Sequence, residues 1–251
     1  MLRARVIPCL LLSGQGLVKT RRFRDPVYLG DPINAARIFS EKEVDELVLL
    51  DIAASRQRRE PDYELVAEVA GECFMPLSYG GGVRRLDQVR RLIRCGVEKL
   101  VLNTVACESR DLVRAAAGEF GSQAVVGGID VAGSKADGWR VMTDGGRRDT
   151  GLDLDAHVQG LVQAGVGELF INHVDRDGGG QGYDLELIRH ISAQVRVPVV
   201  ACGGAGSVAD LRAVVEQAGA SAAAAGSLFV FYGRHRAVLI NMPNAAELDW
   251  G

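Results

Sequence analysis

Short apolar runs alternate with amphipathic helical segments eight times along this chain, and their spacing repeats half-way. The runs begin near Val6, Leu47, Met75, Lys99, Ala124, Leu169, Val197 and Ala222, at successive gaps of 41, 28, 24, 25, 45, 28 and 25 residues. At an offset of 122 residues, Gly16 falls on Gly138, Glu46-Leu47 on Glu168-Leu169, Pro76 on Pro198, and Gly81-Gly82 on Gly203-Gly204. Continuous apolar runs bounded by helices are the mark of parallel strands buried on both faces. Eight such units in 251 residues match the size and order of a closed (β/α)8 barrel, and a doubly wound sheet seldom carries a half-chain repeat. The expected architecture is therefore α/β: a single TIM-barrel domain over 1–251, built from two (βα)4 halves at about 1–122 and 123–251.

Composition narrows the function classes. With 47% hydrophobic and 24% charged residues the chain has the makeup of a globular protein. A net charge of −3 leaves no electrostatic footprint for nucleic acid or an anionic membrane, so any bound anion must be held locally. The N-terminal run from Val6 to Leu12 is too short to span a bilayer and is interrupted by Pro8. Five cysteines without a CxxC pair argue against a disulfide framework or a zinc site, and a reducing cytoplasm fits best. No metal or cofactor is expected.

In such barrels the chemistry sits where strands end and βα loops begin. Two connections are long, Ser13 to Gly30 and Val131 to Leu152, and each follows the first strand of a half; loops of that length are usually functional lids or disordered. Glycine, at 31 residues, is in excess and marks close backbone approaches. Gly80-Gly81-Gly82 and Asn103-Thr104 follow strands 3 and 4; Gly203-Gly204 and Gly226-Ser227 occupy the matching places of the second half. Backbone N–H groups freed by glycine, with helix starts behind them, can close on a phosphoryl group. Two symmetric cradles predict a ligand with two phosphoryl groups lying across the barrel top.

Single residues carry competing readings. Asp130 follows Val125-Val126-Gly127-Gly128-Ile129 and points into the barrel mouth, where an idle carboxylate would be expensive. Asp51, at the end of strand 2, either does chemistry or ties down its own loop. Asp175 and Asp177 flank Arg176 in a Gly-rich loop that is either a ligand contact or a solvated turn. His157, His190 and His235 lie in polar helical stretches and read as surface residues. His173, placed in the loop after strand 6, is a weaker substrate candidate, and Cys202 reads as a small packing residue.

Five segments carry a family resemblance: Arg5-Val6-Ile7-Pro8-Cys9-Leu10, Asp45-Glu46-Leu47-Val48-Leu49-Leu50-Asp51-Ile52, Gly118-Glu119-Phe120-Gly121-Ser122-Gln123, Asp175-Arg176-Asp177-Gly178 and Gly182-Tyr183-Asp184-Leu185-Glu186-Leu187. They resemble the cyclase subunit of imidazole glycerol phosphate synthase. The resemblance implies a barrel that takes ammonia from a glutaminase subunit, a class I amidotransferase, in a heterodimer, then cleaves and cyclises a bis-phosphorylated ribulosyl intermediate of histidine biosynthesis. Asp130 matches one of that family's two acid–base aspartates, and Lys19, Asp51, Asn103, Asp175 and Asp177 match further family positions.

The partner aspartate is replaced by Leu11, and a threonine at the end of strand 6 by Asn172. These departures, with Phe231-Tyr232-Gly233-Arg234-His235-Arg236-Ala237-Val238-Leu239-Ile240-Asn241, are similar to a divergent branch associated with surface-polysaccharide clusters. That branch converts an acetamido group on a nucleotide sugar to an acetamidino group. The alternatives are the histidine-pathway cyclase with an altered strand 1, yielding imidazole glycerol phosphate and AICAR, and a non-catalytic barrel that activates a glutaminase.

At the opposite end, Arg5, Glu46, Lys99 and Glu168 stand before apolar strands and match the family's charged ammonia gate. The expected glutaminase docks over them, with Glu98 orienting it.

Overall fold

In the computed structural model, which describes residues 4–233, 235–244 and 247–248, eight parallel strands close into a barrel. The expected unit of 1–251 thus includes positions, Arg234 among them, that lie outside the described residues. The barrel strands are β1 (Arg5–Ser13), β2 (Leu47–Asp51), β3 (Leu77–Gly80), β4 (Lys99–Leu102), β5 (Val125–Ser134), β6 (Glu168–His173), β7 (Val199–Cys202) and β8 (Ala222–Ala225). Each pairs with the next, and β8 closes onto β1 with Ile7 opposite Ala224.

The helices are α1 (Pro32–Glu41), α2 (Tyr63–Gly71), α3 (Leu86–Arg94), α4 (Thr104–Glu108), α5 (Asp111–Phe120), α6 (Leu154–Ala164), α7 (Leu185–Ser192), α8 (Val208–Ala218) and α9 (Ser227–Val230). Outward strand residues such as Leu10, Leu49, Tyr79 and Leu169 pack under them in the main core. Inward residues, among them Ile7, Cys9, Leu11, Val48, Val101, Val126, Phe170, Val200 and Ala222, form a separate core inside the barrel. No described helix is long and apolar enough to cross a membrane.

The half-chain repeat extends to the helix caps. Asp31 and its mate Asp153 each cap a helix by accepting an N–H, from Asn34 at 2.7 Å and Ala156 at 2.8 Å, and Asp62 and Asp184 do the same for α2 and α7. A carboxylate at an N-cap satisfies an orphan donor and faces the positive helix end. The mates Pro76 and Pro198 accept from Leu47 and Leu169, both at 2.9 Å. Lacking an N–H they cannot join the strands themselves. This is why β3 and β7 begin at Leu77 and Val199, two residues later than the apolar runs suggest.

Three further expectations need correction. The two long connections are not loops: β1 continues past the barrel rim because Gly16–Arg21 pairs antiparallel with Leu11–Ser13 and is followed by Arg24–Gly30, and β5 continues against Gly138–Thr143. The antiparallel partner satisfies backbone groups that would otherwise face water, so the strand persists. The eighth helical layer is a single turn, α9, followed by a ribbon of Phe231–Tyr232 and Ala237–Val238. Finally, His157 is buried in α6 instead of lying on the surface.

Candidate active site

The C-terminal barrel mouth opens into a cavity of about 1300 Å³, counted out to its open mouth. Asp130, Asn172 and Cys202 occupy neighbouring register positions on β5, β6 and β7, and all three line it. Asn103, at the start of α4, donates from Nδ2 to Asp130 Oδ2 at 2.8 Å. Burial pushes the Asp130 carboxyl up to about 7, against the lowering effect of this hydrogen bond, and the negative charge of Asp177 adds to the rise. A carboxyl titrating near neutrality can both accept and return a proton. Leu11, on β1, lines the same cavity and supplies no exchangeable proton.

Lys19 lies on the hairpin strand Gly16–Arg21, not on a loop, and its buried side chain reaches the cavity. Its ammonium occupies the space where a side chain on Gly226 would stand. Cys9 and Cys202 also line the cavity. A hydrogen bond from Cys202 together with the charge of Lys19 holds the Cys9 thiol below its ordinary range, whereas donation to Cys9 and burial push Cys202 well above it.

Asp51 lines the cavity, but its carboxylate is committed to its own loop. Oδ1 accepts from Ala53 and Ala54 at 3.0 and 2.9 Å, and Oδ2 from Arg59 Nη2 at 2.9 Å. Asp177 also lines it and acts as a tie: Oδ2 accepts from Thr20 Oγ1 at 2.6 Å and from the Phe23 N–H at 3.3 Å, fastening the first hairpin to the β6 loop. Asp175 accepts from the Gly133 N–H at 2.8 Å and does not reach the cavity. His173 is the last residue of β6, not a loop residue. One position along from Asn172, it faces the opposite side and contacts the Gly133 carbonyl and Asp184.

The two glycine cradles share one backbone motif but differ in which residues border this cavity. Gly81, Gly82, Asn103 and Thr104 line the cavity; Gly203, Gly204, Gly226 and Ser227 do not. Gly81 and Gly82 have φ of +119° and +72°, and Gly203 and Gly204 of +88° and +116°, so the backbone motif repeats in both halves. Ser55, Arg56 and Arg84 line the cavity from the β2 and β3 loops and were not anticipated. The rule that chemistry follows strand ends would have found them had it been extended through each loop.

At the other end of the barrel the four charged residues form a closed ring. Glu46 Oε2 receives Arg5 at 2.6 Å and Lys99 at 2.7 Å; Glu168 binds Arg5 and, at 3.1 Å, Lys99. Ser78 donates to the remaining oxygen of Glu46 at 2.7 Å. Glu98 is exposed beside the ring.

The family model described as histidine biosynthesis protein matches residues 5–236. The chain belongs to that family. A Pseudomonas aeruginosa protein provisionally named imidazole glycerol phosphate synthase subunit hisF2 is 55% identical over the full length of both chains. A Leptospira borgpetersenii protein provisionally named as subunit HisF is 45% identical, over 99% of this chain and 98% of its own. A Vibrio vulnificus protein provisionally named as subunit hisF3 is 45% identical, over 98% of this chain and 95% of its own. Within the family the chain is therefore cyclase-subunit-like.

Proposed function

We propose that this chain is the synthase subunit of a glutamine-dependent enzyme and amidinates the acetamido group of a nucleotide sugar destined for surface polysaccharide. A partner glutaminase supplies ammonia through the charged ring and the apolar barrel interior. The observation that carries this reading is the pairing of Asp130, titrating near neutrality, with Leu11 at the other side of the mouth. Ring closure in the resembled cyclase uses two carboxylates. Amidination needs less: once the amide oxygen has been esterified by the phosphoryl or nucleotidyl group of a nucleoside triphosphate, ammonia adds to the amide carbon, Asp130 takes a proton from the adding nitrogen, and the oxygen leaves carrying that group as phosphate or nucleoside monophosphate. Lys19 is placed to neutralise charge on the departing oxygen.

The names of the relatives favour a second reading, the histidine-pathway cyclase with an altered strand 1. One comparison separates the two. The purified chain is supplied with ammonium salt and either the bis-phosphorylated ribulosyl intermediate or an N-acetylated nucleotide sugar with ATP to activate its amide oxygen, and products are read by mass spectrometry. Amidination predicts replacement of the amide oxygen by NH in the sugar. It also predicts imidazole glycerol phosphate formation at least about 100-fold below that of a cyclase with both aspartates, the low end of losing a positioned acid. Normal cyclase turnover would decide for the second reading.

A further inference from the structure

Behind the barrel mouth, a line of polar contacts runs from the helix layer to Asp130. Asn103 donates from Nδ2 to the Asp130 carboxylate at 2.8 Å. An ionised carboxylate only accepts, so it fixes which way the Asn103 amide faces. Oδ1 is left to Cys107, whose Sγ lies 3.9 Å away, one turn further along α4. The same Sγ is 3.7 Å from Nε2 of His157, a buried residue of α6. Neither Cys107 nor His157 lines the cavity, and the chemistry assigned to the mouth uses neither.

The protons on this line can be placed by elimination. Burial lowers the His157 imidazole to about 4, with the charge of Arg110 acting the same way. Burial, with the charges of Asp130 and Glu108, raises the Cys107 thiol to about 11. Both groups are therefore neutral at pH 7, with one proton each to place. His157 Nδ1 is buried and has no partner. A ring proton on Nδ1 would be an orphaned donor, and the thiol proton would then be drawn to Nε2, leaving Asn103 Oδ1 without it. With the ring proton on Nε2, His157 donates to Cys107 Sγ and the S–H is free for Asn103 Oδ1. Every contact in the line then carries a proton.

We propose that Cys107 and His157 are positioning residues for Asp130, through a one-way chain in which His157 donates to Cys107, Cys107 to Asn103 and Asn103 to Asp130. Hydrogen bonds aligned head to tail polarise one another, so each upstream bond strengthens the last. The chain holds the Asn103 amide against Asp130 and favours the ionised carboxylate. The titratable and charged groups around it are Cys9, Lys19 and Asp177 in the cavity and Glu108, Arg110 and Arg148 near Cys107. What Asp130 does with its proton rests on the amidination reading; the chain of donors does not, because carboxyl titration is followed without turnover.

The test is a ¹³C NMR titration of the Asp130 carboxyl in the full chain, assigned with Asp130→Asn, together with the ¹⁵N imidazole shifts of His157. The expected ring in the unaltered protein is neutral and protonated on Nε2. In Cys107→Ala the Asp130 ionisation constant should fall about two- to tenfold, the net worth of one hydrogen bond, so that the carboxyl titrates at higher pH. His157→Phe, which keeps a ring in the helix layer without a donor, should move it the same way by less. If Cys107 and His157 only pack α4 against α6, water entering beside the smaller side chain would ease burial, and the carboxyl would titrate at the same or a lower pH. That outcome, or a His157 ring protonated on Nδ1, would overturn the proposal. The ring measurement needs no substitution, so it decides even where a variant fails to fold. Titration as expected in a chain that amidinates no nucleotide sugar would instead overturn the functional reading and leave the positioning residues standing.

Discussion

Asn103 Nδ2 donates to Asp130 Oδ2 at 2.8 Å, joining the end of one strand to the middle of the next. The bond favours the ionised carboxylate, while burial and the nearby Asp177 oppose it, and the balance leaves Asp130 near neutrality at about 7. In the proposed reaction this balance sets the pH at which Asp130 can exchange a proton.

Asp130→Asn should lower amidination by about 10²- to 10⁴-fold, the usual worth of a positioned acid or base, with uridine diphosphate binding preserved. Asn103→Ala removes the donor that favours ionisation. The pH at which kcat rises should therefore move above its wild-type value. A variant Asp130→Asn that keeps more than about a tenth of the rate would reduce Asp130 to a structural residue.

Stability should respond to pH through the same group. Its folded pKa of about 7 lies above the ordinary 3.8, so the folded state holds this proton more tightly than the unfolded chain. The resulting stabilisation is fully present below about pH 4 and is lost as pH rises through 7. Other groups govern the acid side, so the comparison belongs between pH 6 and 8.5. Over that range wild type should lose more stability than Asp130→Asn, by about 1.4 kcal/mol, measurable in paired urea unfolding curves. Parallel curves would show that Asp130 titrates in the ordinary carboxylate range.

Lys99→Ala and Glu46→Ala open the ring on the face opposite the cavity. Glutamine-dependent turnover with the partner glutaminase should fall several-fold, and turnover on added ammonium salt should be largely unchanged. Equal losses with both nitrogen sources would remove the ring from ammonia delivery. Glu46→Ala should also destabilise the chain, because Arg5, Lys99 and Ser78 each lose an acceptor.

Gly81→Ala places a Cβ against the Asp51 carbonyl at a φ of +119°. Thermal unfolding should show a loss of at least about 1–3 kcal/mol, the cost of such a backbone position before any clash is counted. Gly118→Ala, inside α5 with open space around its Cβ, should gain about 0.5–1 kcal/mol. An equal response at both sites would contradict the close approach at Gly81.

The sequence by itself determined the barrel and the family. Alternation of apolar runs and amphipathic segments is a local property of the chain. A repeat that places Asp31 on Asp153 and Pro76 on Pro198 constrains one half to copy the other. It also placed Asp130 at the mouth and the four charges at the barrel bottom, since strand direction alone fixes which end a residue occupies. What only the tertiary structure decided was which side chains remain available. Asp51 reads the same in sequence whether free or bound, and its commitment to Arg59, Ala53 and Ala54 depends on how its loop folds back. His157 was misplaced because a polar helical stretch does not reveal that its ring turns toward Cys107, 3.7 Å away, in the interior. Likewise Lys19 reaches Gly226 from a hairpin more than two hundred residues away in the chain, a contact that no local pattern records.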